Sequence, residues 1–96
     1  MLEKQIEKWM KRQVEQMGGL FLKFVSPSND GVPDRIVLLP GGRIWFVELK
    51  TEDGRVSKIQ EYMIGKMERI GCKVVVVHGM TEAKEAIERM KGGDAL

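Results

Sequence analysis

A glutamate and a lysine stand two residues apart at the end of the hydrophobic segment Ile44-Trp45-Phe46-Val47-Glu48-Leu49-Lys50. As a β-strand this segment alternates its side chains between two faces. One face carries Trp45, Val47 and Leu49, and the other carries Ile44, Phe46, Glu48 and Lys50. Both charged types are depleted from strands, and burying either charge without compensation is costly. Taken alone, the pair reads as a strand-end ion pair facing solvent. Upstream, however, lies Gly31-Val32-Pro33-Asp34-Arg35. Proline has no N–H to give a ladder and suits a strand's first position, so Asp34 opens the strand hairpinned to the one bearing Glu48. Two carboxylates and an ammonium then converge at one end of the sheet. Carboxylate oxygens suit a hard cation such as Mg2+, and an adjacent ammonium can stabilise developing negative charge.

The rest of the chain must hold these groups in place. From Leu2 to Met17 the apolar residues Leu2, Ile6, Trp9, Met10, Val14 and Met17 recur at helical spacing, and Gly18-Gly19 ends the helix. Leu20 to Val25 has strand length, and Ser26 to Gly31 is turn chemistry. Arg35 to Leu39 and Arg43 to Leu49 flank Pro40-Gly41-Gly42 as a hairpin, and Glu52-Asp53-Gly54 makes another turn. Ser57 starts a helix carrying Ile59, Met63, Ile64, Met67 and Ile70, closed by Gly71. The valines of Lys73 to Val77 predict a strand covered on both faces. Thr81 is expected to cap a last helix carrying Ala83, Ala86, Ile87 and Met90. The order is α-β-β-β-α-β with a C-terminal helix.

Composition sets the outer limits. The 96 residues form one expected domain, 1–96, with 43% hydrophobic and 31% charged residues, as in ordinary soluble proteins. No apolar run approaches the roughly 20 residues needed to span a bilayer, and the N-terminus lacks a signal-peptide pattern, so no membrane partner is expected. Cys72 is the only cysteine, which fits a reducing, cytoplasmic compartment. The net charge of +2 is no polycationic coat, although carboxylates committed to metal ions would leave a more basic surface. His78 stands alone, with no Cys or His cluster to suggest zinc. No Gly-rich phosphate loop is present, so no nucleotide cofactor is expected.

Gly31-Val32-Pro33-Asp34-Arg35, Phe46-Val47-Glu48-Leu49-Lys50 and Ser57-Lys58-Ile59-Gln60 together resemble the VRR-NUC (virus-type replication-repair nuclease) branch of the PD-(D/E)xK nucleases. The resemblance runs from about Ile6 to Val77. It implies an α/β, restriction-endonuclease-like core with a mixed sheet flanked by helices. It also implies Mg2+-dependent hydrolysis of DNA phosphodiesters to 5′-phosphate and 3′-hydroxyl ends, with Mn2+ as a substitute. Asp34, Glu48 and the main-chain carbonyl of Leu49 are the expected metal ligands, and Lys50 orients water or stabilises charge. The family's helix glutamate, a catalytic residue and a candidate further metal ligand, matches Glu7 best, with Glu3 one turn earlier as the alternative and a solvated helix glutamate as the plain reading. Gln60 has two readings. It completes a capping box with Ser57, and by resemblance it belongs to the active site. Lys23 and Arg35 are candidates for phosphate contact or for solvated strand-end charges. The competing function is a catalytically idle nucleic-acid-binding module.

With no appended recognition domain in the chain, sequence-specific readout is not expected. A domain this small has little surface with which to grip a duplex. The expected form is therefore a homodimer acting on branched DNA, with Leu2, Ile6, Trp9 and Met10 of the first helix offering the interface.

Overall fold

The computed structural model describes residues 2–92. The elements are α1 (Glu3–Gln16), β1 (Leu20–Lys23), β2 (Arg35–Leu39), β3 (Arg43–Lys50), α2 (Lys58–Arg69), β4 (Lys73–His78) and α3 (Gly79–Lys91). Residues 1 and 93–96 of the expected domain lie outside the described residues. The four strands form one sheet in the order β1-β2-β3-β4. The first three are antiparallel, with Lys23 opposite Arg35 and Arg35 opposite Val47. β4 returns parallel to β3, with Val76 beside Glu48 and His78 beside Lys50. This is the element order that the pattern predicts and the mixed α/β sheet flanked by helices that the resemblance implies.

The β3 alternation sets the layers. Trp45, Val47 and Leu49 are buried, together with Phe21, Val37, Leu39 and Val77 from the other strands. Ile6, Met10 and Val14 of α1 and Ala83, Ala86, Ile87 and Met90 of α3 complete that core. The opposite face is sparsely covered: Leu20, Leu22 and Ile44 remain exposed. The β2–β3 turn is possible because Gly41 and Gly42 both take positive φ, at 84° and 75°, a region open to glycine at little cost.

Three expectations need correction. β1 stops at Lys23 rather than Val25, because the Phe24 N–H turns to the Asp34 carbonyl as the strand ends. β4 is an edge strand and only Val77 is buried, since one of its sides pairs with nothing in the sheet. Thr81 does not cap the last helix, which starts at Gly79. Gly79 at φ 84° turns the chain straight out of β4, and the Glu82 carboxylate accepts the His78 N–H at 2.8 Å. The capping function passes to Glu82.

Candidate active site

Glu48 is the centre of the site because it is a strand carboxylate only 4% exposed. Such a charge is tolerable only with several donors around it. Three elements supply them. Asp34, just before β2, gives its N–H to Glu48 Oε1 at 3.1 Å. Gln60, in the first turn of α2, gives Nε2–H to Oε2 at 2.8 Å. Lys50, two residues along β3 on the same face, places Nζ 3.2 Å from Oε2. Asp34 answers in turn, its Oδ1 accepting the Leu49 N–H at 3.2 Å. The expected set of Asp34, Glu48, Lys50, Gln60 and the Leu49 main chain is thus brought together at the end of β3.

Gln60 makes both of its expected connections at once. Its Oε1 accepts the Ser57 N–H at 2.9 Å while its own N–H goes to Ser57 Oγ at 3.2 Å, and Nε2 remains for Glu48. The capping box therefore aims the amide. Gly31 makes this approach possible. A Cβ there would sit 2.6 Å from the Ile59 carbonyl oxygen, and its φ of 86° suits glycine alone among ordinary residues. The Gly-Val-Pro-Asp turn can therefore press against the start of α2. The sequence shows Gly31 as part of a motif without revealing this contact.

The two carboxylates repel one another. Burial above all, then the charge of Glu48, pushes the Asp34 carboxyl above the usual aspartate range, and Glu3 on α1 adds to the push. The Leu49 N–H and the Arg35 guanidinium pull the other way. Each carboxylate oxygen offers about two acceptor positions. Glu48 Oε2 uses both, whereas Glu48 Oε1 and Asp34 Oδ1 each use one and Asp34 Oδ2 has only a loose Arg35 contact at 3.7 Å. The spare oxygens and unrelieved repulsion fit a hard divalent cation, which needs only one or two protein carboxylates. Among the described residues no cluster of three or more His, Cys, Asp or Glu side chains is formed.

Of the other candidates, Glu7 and Arg35 lie at the edge of this cluster and Lys23 lies apart from it. Glu7 is engaged by Arg35, whose Nε and Nη2 reach Glu7 Oε2 at 3.0 and 2.7 Å. Arg35 is 12% exposed and occupied, so its side chain is not presented to solvent as a phosphate contact would be. This pairing, 28 residues apart in sequence, leaves no local pattern by which to find it. Lys23 is exposed at the end of β1. His78 Nδ1 lies 3.0 Å from Glu82 Oε1, and the two His78 contacts hold the Glu82 carboxyl below its usual range. Cys72 is half-buried rather than fully enclosed. No helix is long and apolar enough to cross a membrane among the described residues.

The chain is similar to known proteins in sequence and in fold. The sequence profile of the VRR-NUC domain matches residues 2–81. A protein named "Putative nuclease p44", from Acyrthosiphon pisum secondary endosymbiont phage 1, is 40% identical over 75 residues, covering 78% of this chain and 81% of its own. A solved structure described as a VRR_NUC domain superposes with a TM-score of 0.83 at 33% identity, covering 90% of this chain and 94% of that one. With sequence profile, relative and solved fold in agreement, this chain belongs to the VRR-NUC domain family of nucleases.

Proposed function

We propose that this protein is a Mg2+-dependent endonuclease that hydrolyses DNA phosphodiesters at Asp34, Glu48 and Lys50. The observation that carries the reading is Glu48, a buried carboxylate surrounded by Asp34, Gln60 and Lys50. A structural ion pair needs no second carboxylate beside it, and an idle binding module gains nothing from the burial and the repulsion by Glu48 that raise the Asp34 carboxyl. Asp34, Glu48 and the Leu49 carbonyl would hold Mg2+, with Mn2+ as a substitute. When bound, the ion supplies Lewis-acid polarisation of the scissile phosphate and a water nucleophile at neutral pH.

The chain's own groups do the rest. Gln60 and the Asp34 N–H fix the Glu48 carboxylate in one orientation. The Lys50 ammonium, anchored on Glu48 and 20% exposed, would stabilise the negative charge that develops on the phosphate. Water adds to phosphorus and gives up a proton to solvent, the P–O3′ bond breaks, and the leaving O3′ takes up a proton, leaving 5′-phosphate and 3′-hydroxyl ends.

The acting form is a homodimer on branched DNA. Of the interface residues expected near α1, Ile6 and Met10 are 1% and 0% exposed within the core and Trp9 is half-buried, which leaves only Leu2 exposed. The open sheet face of Leu20, Leu22 and Ile44 replaces α1 as the apolar surface available to a second copy. The test is cleavage of linear, nicked, flapped and four-way-junction DNA with Mg2+ or Mn2+, alongside light scattering. Preferential cutting of branched DNA by a dimer supports the proposal, and efficient junction cleavage by a monomer removes its dimeric part.

A further inference from the structure

Arg35 and Glu7 form an ion pair at the edge of the site whose geometry is more exacting than surface pairing requires. Three of the five guanidinium N–H donors are committed. Nε and Nη2 hold Glu7 Oε2, and Nη1 holds the Asp34 carbonyl oxygen at 2.9 Å. That carbonyl also accepts the Phe24 N–H at 2.9 Å. The main chain of Asp34 is therefore clamped by Phe24, just past β1, on one side and, through Arg35, from α1 on the other. The two side chains are 12% and 28% exposed, so solvent screens their attraction only in part.

We infer that Arg35 is a positioning residue of the active site, and that Glu7 is its counter-charge rather than a ligand to the metal ion. The inference rests on the metal-dependent reading above. For Glu7 to bind an ion it would have to release Arg35, leaving a mostly buried guanidinium without its carboxylate, which is a costly exchange. A lysine in place of Arg35 keeps the charge and loses the planar fork that spans Glu7 and the Asp34 carbonyl together. Both residues thus act on the reaction through one object, the placement of Asp34.

The experiment compares Arg35→Lys, Glu7→Gln and the double variant for kcat, KM and Mn2+ binding by electron paramagnetic resonance, with Asp34→Asn as the ligand control. Each single variant is expected to lower kcat by about 10–100-fold, as loss of an orienting partner does, with KM changed by less than about twofold. The double variant should be no slower than the worse single one, because the two act as a unit. Mn2+ affinity should fall by the same factor in Glu7→Gln and Arg35→Lys. Loss of Mn2+ binding in Glu7→Gln as complete as in Asp34→Asn, with Arg35→Lys unaffected, would make Glu7 a ligand and overturn the inference. A raised KM at unchanged kcat in Arg35→Lys would also overturn it, by making Arg35 a DNA contact. Should wild-type protein cut DNA in EDTA, the metal reading fails, and the additivity of the two kcat losses still decides the pairing.

Discussion

Replacing Gln60 by alanine removes two side-chain hydrogen bonds that serve different ends. The bond from the Ser57 N–H is exposed and helps cap α2, and is worth about 0.5–1.5 kcal/mol. The bond to Glu48 is made to a buried carboxylate, where hydrogen bonds to charge contribute about 1.5–3 kcal/mol. α2 buries no side chain, so little packing is lost besides. The sum is roughly 2–4.5 kcal/mol, and at about 4–8 °C per kcal/mol for a domain of this size the melting temperature should fall by about 8 °C or more. Ser57→Ala breaks the cap alone, at about 0.5–2 kcal/mol, and leaves the Glu48 bond possible. Turnover separates the two further. Gln60→Ala should lose about 10–100-fold through a misoriented Glu48, while Ser57→Ala should keep near wild-type turnover per folded molecule. Melting curves and single-turnover cleavage on both variants provide the measurement. Equal thermal losses with intact cleavage in both would show that Gln60 is only a cap and refute the reasoning.

The carboxyl of Asp34 lies above its ordinary range, so the metal-free fold holds that proton more tightly than the unfolded chain does. The resulting stability is fully present below the ordinary value of 3.8 and is lost as pH rises through the folded value. Asp34→Asn, which keeps an acceptor for the Leu49 N–H, should therefore melt higher than wild type at neutral pH without metal, with the gain vanishing in acid. An unchanged difference across pH would contradict the burial and repulsion argued for Asp34. Gly31→Ala should destabilise the domain by more than about 1 kcal/mol, since its Cβ meets the Ile59 carbonyl at 2.6 Å. It should also slow cleavage by moving Gln60 away from Glu48, and a neutral effect in both assays would dismiss that contact. Lys50→Ala should stay folded in a thermal melt and lose cleavage.

Much of this was legible because period-two alternation is a local property. The alternation of Ile44 to Lys50 was enough to put Glu48 and Lys50 on one face, and the proline before Asp34 was enough to place it at the neighbouring strand's start. The Ser57–Gln60 box was equally local, being closed within one helical turn. What sequence could not show were partnerships set by the packing of distant elements. Arg35 is held by Glu7 of α1, a partner 28 residues away in sequence that only the packing of α1 on the sheet brings near. α2 has the apolar spacing of a core helix yet lies over a sheet face that only it covers in part, and spacing cannot tell those two cases apart. Thr81 fits a cap by type, but the turn at Gly79 decides where the helix begins.

The central claim is that the oxygen-rich end of β3 cuts DNA with a divalent ion. The most direct measurement compares wild type and Glu48→Gln on one four-way-junction substrate, each with Mg2+ and with EDTA, after melting curves establish that both are folded. Cleavage by wild type in Mg2+ alone, and by Glu48→Gln in neither condition, is the predicted result. Cleavage by folded Glu48→Gln at the wild-type rate, or by wild type in EDTA, would contradict it.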